Sequence, residues 1–245
     1  RGVLTRNSRV SAKTTFDRLG WTFGISLLTL GFIWAVALPI GIYSAVRQHS
    51  VGDYVFTFLG FSGLAVPDFL LGLVLLYIFF AFFDQSVGGL FSGEYVDVPW
   101  SFGRVVDLAK HLIIPAIVLG TSGTAGMIRV MRGNLLDELR KPYVVTALAK
   151  GVRPFKLLVK YPVRIALNPF ISGIGALFPQ LVSGGAIVAM VLSLPTVGPM
   201  MLEALMTQDM YLAGSMLMVL SLIGVLGTLV SDLLLLWLDP RIRYS

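Results

Sequence analysis

Apolar residues run through this chain in long unbroken stretches, and polar residues gather in the gaps between them. Five stretches approach or exceed the roughly 20 residues that a helix needs to cross a hydrocarbon layer about 30 Å thick. They are residues 19–45, 55–83, 112–130, 165–192 and 211–238. None alternates apolar and polar positions as a barrel strand does, and in lipid the backbone must satisfy its own hydrogen bonds, so all five are predicted helices. The predicted fold class is therefore all-α, a polytopic membrane protein. Gly20 and Gly24 in the first run, with Gly120, Gly123 and Gly126 in the third, predict close approach to neighbouring helices. The fourth run sets Ser172, Gly175, Pro179, Ser183 and Ala186 three or four residues apart. That makes one narrow face of small or polar positions, suited to lining a pathway or to tight packing.

Composition agrees with the pattern. The 245 residues are 56% hydrophobic and 13% charged, with too little polar surface to cover a water-soluble globule of this size. There is no cysteine, which removes disulfides, thiolate metal sites and a cysteine nucleophile together. His49 and His111 are the only histidines and lie far apart, so neither a metal nor a cofactor is expected on this chain. The formal charge is +6, but the bases flank apolar runs, where membrane lipid and topology account for them and nucleic acid does not.

Charge asymmetry orients the spans. The loop 129–164 carries nine of the 19 Lys and Arg residues, whereas 193–210 carries Glu203 and Asp209 and no base. The positive-inside rule places the first in the cytoplasm and the second outside. Alternation then puts 84–110 and the N-terminal segment 1–18 outside as well. The bases Arg1, Arg6, Arg9, Lys13 and Arg18 conflict with that placement. A sixth span upstream of this sequence would remove the conflict, and it is expected.

Inside the basic loop, Pro142 suits a first helical position, VVTALAK follows, and Gly151 suits a left-handed C-terminal cap. Pro154 then opens a second short helix. Ala147, Ala149 and Gly151 are small, which lets a partner surface come near the backbone. The stretch YVVTALAKGVRPFKLLVKYPVRIALNP resembles the cytoplasmic coupling loop, the EAA motif, of ABC importer permeases of the oligopeptide/dipeptide family, in the first-permease or B-type form. LAVPDFLLGLVLLYIFF resembles that family's second core span, IIPAIVLGTSGTAGMIRVMRGNLLDEL its third, and LWLDPRIRYS its C-terminus. The likeness runs in order over essentially the whole chain. Two departures stand out. Leu148 occupies a place where the family often has Arg, and RIALNP replaces RNALLP, which displaces Asn168 and lets Pro162 interrupt the approach to the fourth span.

The resemblance implies a type I importer transmembrane domain over 19–245, with a coupling loop at 131–164. The transport role it implies is import of a solute, in the first place di- or oligopeptides, handed over by an extracytoplasmic binding protein. The partners it implies are a second homologous permease and two ABC ATPase subunits, in a bacterial or archaeal cytoplasmic membrane. Contact with the ATPase would fall to Thr146, Ala147, Ala149, Lys150 and Gly151. The chain has no GxxxxGK[ST] phosphate loop, so ATP and its Mg ion would be used by the ATPase subunits and this chain would be no enzyme. The translocation path is expected at Asp68, Ser172, Gly175, Pro179 and Ser183. A carboxylate such as Asp68 near mid-bilayer costs roughly 2.5–3.5 kcal/mol and should face a cavity or partner. Asp232 is expected to pair with a base. Docking of the binding protein is expected at Pro195, Gly198 and Glu203, with the loop holding Asp84, Glu94 and Asp97 as a second candidate. Two alternatives keep their place: the same machinery importing oligosaccharides, opines or nickel chelates, and an ion-coupled secondary transporter using Asp68. A membrane-embedded hydrolase would need a nucleophile, base and orienter that no motif here supplies.

Overall fold

The computed structural model describes residues 2–83, 88–96, 98–174 and 185–238, with side chains from residue 14 onward. Among them all extended regular structure is helical. Helix α1 (Gly2–Val46) begins well before the predicted first span, so residues 2–18 continue into that span as one helix. From Val3 to Leu19 the chain has neither Gly nor Pro, the two residues that most strongly break a helix, so its charges do not interrupt the helical backbone.

The predicted single span 55–83 is corrected by the structure. It is two helices, α2 (Val51–Ala65) and α3 (Asp68–Phe83), bent by 100°. The cause is local. Pro67 disfavours helical backbone at the residue before it, and Val66 is extended at φ −90° and ψ 123°. Helix α4 (Phe102–Leu139) overruns the predicted 112–130 at both ends. Its last turns keep helical periodicity, with Met131 and Leu135 wholly buried and Glu138 buried beside them, so the loop expected from residue 131 starts only at Arg140.

Four short helices follow, each with a proline in its first turn: α5 (Pro142–Ala149), α6 (Pro154–Lys160), α7 (Pro162–Ala166) and α8 (Asn168–Ser172). Proline suits that position because its missing N–H is one that the helix start leaves unbonded anyway. The interruption expected at Pro162 is therefore present. Of the predicted fourth span, α7, α8 and the helical residues 185–191 are described, while 175–184 lie outside the described residues. Helices α9 (Val197–Met206) and α10 (Met210–Leu238) complete the order. Among the described residues, three helices contain stretches long and apolar enough to cross a membrane, in α1, α4 and α10, and the bent α2–α3 pair qualifies only when taken together.

The chain divides into two compact units. One comprises 1–31, 67–120 and 178–222; the other comprises 32–66, 121–177 and 223–245. The first has a core of Ile25, Ile114, Val118, Val188 and Leu192. The second has a core of Ile33, Ala37, Met131, Leu135 and Phe170, with Trp34 set edge-on to Phe170. Close glycine packing occurs, but only in part where expected. Space is open around Gly20, Gly24 and Gly126, whereas a methyl at Gly123 would stand 2.8 Å from Ile33 Cδ1. Tighter approaches occur elsewhere, at Gly41, where it would stand 2.6 Å from Met131 Cβ, and at Gly52, 2.6 Å from the Tyr43 hydroxyl.

Candidate functional site

Helix α5 is short, yet every part of it is held. Lys141 precedes it in extended backbone, and Pro142 opens it. At the other end Gly151 adopts φ +77°. The Val152 N–H is donated to the Ala147 carbonyl at 3.2 Å and the Gly151 N–H to the Leu148 carbonyl at 2.9 Å. These paired bonds form a Schellman cap, and the left-handed residue between them favours glycine because it has no Cβ to strain. The predicted cap is thus present in full.

What anchors α5 was not apparent in the sequence. Glu138, in the last turn of α4, is 7% exposed. One of its oxygens accepts the Tyr143 hydroxyl at 2.9 Å and the other the Lys141 ammonium at 2.5 Å. Buried Val144 and, on α6, buried Leu157 add apolar attachment. The opposite surface stays open: Val145, Thr146, Leu148, Ala149, Lys150 and Gly151 are exposed, as are Arg153, Phe155 and Lys156. Among the residues expected to couple, only Ala147 is half-buried. Thr146 spends its hydroxyl on the Pro142 carbonyl at 3.0 Å, so it contributes surface more than a free donor. The result is a fixed rod with an apolar and basic outer face.

The nine bases of the island divide by what they touch. Arg132 grips Asp53 with two bonds of 3.0 Å, from Nε to Oδ1 and from Nη2 to Oδ2. Asp53 is buried and also accepts the His49 N–H at 3.0 Å. Arg129 lies 5.3 Å from the centre of the Phe61 ring. Arg164 donates to the carbonyls of Leu238 at 2.6 Å and Trp237 at 3.3 Å, the unbonded end of α10. A cation there completes the last turn and opposes its negative dipole end. Reading the island's charges as topology alone misses these contacts. Ser50 caps the start of α2, its Oγ accepting the Asp53 N–H at 3.2 Å.

The residues expected along a path are less gathered. Asp68 is half-buried, engaged, and stands at the first position of α3 directly after the bend, where a carboxylate complements the helix N-terminus. Ser172 is exposed and donates to the Pro169 carbonyl at 3.2 Å. Gly175, Pro179 and Ser183 lie outside the described residues. Asp232 is half-buried and makes no ion pair among the described residues.

Of the expected docking residues, Pro195 and Glu203 are exposed but Gly198 is buried. It faces a cavity of about 20 Å³ shared with Thr22, Ser26 and Thr29, so it offers no surface to a partner. Helix α9 is tied in by the Val197 N–H, donated to Thr22 Oγ1 at 2.9 Å. In the second candidate segment Glu94 is exposed, Asp84 and Asp97 lie outside the described residues, and the segment ends at Ser101 and not at residue 110. It is bound down by Asp107, which accepts the Ser92 N–H at 2.8 Å and hydroxyl at 2.6 Å, and by Arg104 stacked 4.5 Å from the Phe91 ring centre and 4.8 Å from that of Trp100.

Comparison with known proteins bears on all of this. A family model described as binding-protein-dependent transport system inner membrane component matches residues 37–244. The oligopeptide transport system permease protein AppB of Bacillus subtilis (strain 168) is 33% identical over 98% of this chain and 75% of its own length. The dipeptide transport system permease protein DppB of Escherichia coli (strain K12) is 28% identical over 99% of this chain and 76% of its own. Among solved structures, a chain of the MetNI methionine ABC transporter in an inward-facing conformation matches with a TM-score of 0.66. The match covers 94% of this chain and 98% of that one at 13% identity, and it speaks for the fold alone.

Proposed function

The chain belongs to the family of binding-protein-dependent transport system inner membrane components, permeases of ABC importers, and from that premise we propose that it carries peptides into a bacterial cell. The peptide assignment is supported by the relatives named for oligopeptide and dipeptide transport. In this reading a binding protein delivers the peptide at the outer face. A second permease completes the path, and two ATPase subunits supply the work of ATP and Mg.

The observation that carries the coupling assignment is the anchoring of α5. A helix of eight residues closed by a Schellman cap is marginal alone, and here buried Glu138 binds its first turn through Tyr143 and Lys141. Force applied to the exposed face therefore passes to α4 without being lost in a slack loop. An ATPase groove that accepts this face needs apolar lining for Val145, Leu148 and Phe155, and acidic residues for Lys150, Arg153 and Lys156.

The test uses the full transporter in proteoliposomes, with Ala149→Glu and Leu148→Glu in this subunit. Both leave the anchor and the spans untouched. Expected are normal membrane insertion, loss of most peptide uptake, and ATP hydrolysis that no longer responds to the loaded binding protein. Normal uptake at normal expression overturns the coupling role. Uptake of a non-peptide solute with the wild-type transporter overturns the peptide assignment and leaves the coupling role standing.

A further inference from the structure

One recess lies wholly within the second of the two compact units. It holds about 400 Å³ and is lined by residues of α2 and α4 and the turn before α2. Two guanidiniums stand on one wall, Arg129 and Arg132, three positions apart and therefore on the same side of α4. Arg132 is fixed by its two bonds to buried Asp53, yet its side chain remains 30% exposed. Nε and Nη2 hold the carboxylate, and a guanidinium has further N–H groups to offer. Arg129 has an aromatic neighbour, Phe61, and no ion pair among the described residues. Asp53 neutralises one of the two charges, so the recess keeps a net positive wall.

His49, Tyr54 and Thr57 also line it, but its remaining walls are apolar and it opens among apolar surface. Phe56, Phe61, Ala125 and Ile128 face the recess. Phe58, Leu59 and Phe61 on α2 are 70%, 57% and 56% exposed. Arg129 marks the place where the apolar run 112–130 gives way to charge, the level at which a membrane's headgroups meet its hydrocarbon. A cationic ledge above an aromatic and aliphatic wall at that depth matches one chemistry, a phosphate diester joined to an acyl chain.

We propose that this recess is a binding site for an anionic phospholipid, its phosphate held by Arg129 and Arg132 and its chain laid along Phe61 and Ile128. A soluble phosphate would satisfy the guanidiniums but leave the apolar wall unused. The site is independent of the transport assignment, because lipid retention is read without uptake or ATP hydrolysis.

Native mass spectrometry of the full-length protein in detergent, titrated with phosphatidylglycerol, phosphatidylcholine or inorganic phosphate, tests it. Wild type is expected to retain phosphatidylglycerol in preference to phosphatidylcholine. Arg129→Gln is expected to weaken that retention about fivefold, the effect of one basic residue's attraction to an anionic headgroup. Arg140→Gln, an exposed base outside the recess, should leave it unchanged. Phe61→Ser should weaken retention while leaving the charge in place. Equal retention of the two lipids, equal losses in Arg129→Gln and Arg140→Gln, or displacement of the lipid by millimolar inorganic phosphate would each overturn the proposal.

Discussion

Among the described residues, left-handed backbone caps the C-terminal ends of α5, of the helical residues 185–191 and of α9, and of these three caps one uses glycine. Ser193 at φ 53° and Gln208 at φ 57° sit in the same paired-bond cap as Gly151, with Leu194 N–H donated to Ala189 and Asp209 N–H to Ala204. An L side chain in that region costs roughly 1–2 kcal/mol, so the three sites respond oppositely to substitution. Gly151→Ala is expected to lower stability by about 1 kcal/mol and Gln208→Gly to raise it by about 0.5–1 kcal/mol, as read from unfolding in detergent. The cap at Gly151 was legible because glycine announces it; Ser193 and Gln208 carry no such mark. Asp53 and Arg132 were illegible for a different reason, since 79 residues separate two partners that share no local pattern. Arg132→Met is expected to cost roughly 3 kcal/mol, the low end for a buried pair because Arg132 is partly open to solvent. Asp53→Leu combined with Arg132→Met should lose clearly less than the two single changes summed, and additivity would refute the coupling.

At the scale of elements, several prolines divide what hydropathy would run together, although α1 and α4 continue through Pro39 and Pro115. The run 55–83 is apolar enough to read as one span, yet Pro67 turns it into two helices at 100°. Pro142, Pro154, Pro162 and Pro169 cut the stretch after α4 into four short pieces. Short helices of this kind persist through their attachments. Tyr143→Phe removes the hydroxyl that Glu138 accepts, a bond worth about 1 kcal/mol, and amide exchange over residues 142–149 should accelerate about fivefold in response. Unchanged exchange there would mean that Lys141 and Val144 alone hold the helix. The helix start and stop were readable from Pro142 and Gly151, whereas its anchor at Glu138 was not, because that residue reads in sequence as one more exposed acid of a loop.

For the whole molecule, the apolar surface left outside the helical contacts sets the environment. In α10 only 11% of the most apolar window is buried, and Leu222, Leu226 and Leu229 are 57%, 51% and 55% exposed. Hydrocarbon or a partner span must cover that face. Leu226→Arg is expected to raise the cost of insertion by roughly 3 kcal/mol and to cut the amount of membrane-integrated protein, measured by carbonate-resistant yield. Undiminished yield would mean that water reaches the face. The sequence by itself determined the solvent, the helical class and the family, because lipid imposes a length and composition on every span and because the coupling-loop motif is contiguous. Only the tertiary structure decided which bases are spent on Asp53, Glu138 and the end of α10, which glycines touch a neighbour, and where a cationic recess opens. Those facts depend on distances between residues far apart in the chain, and hydropathy carries no record of them.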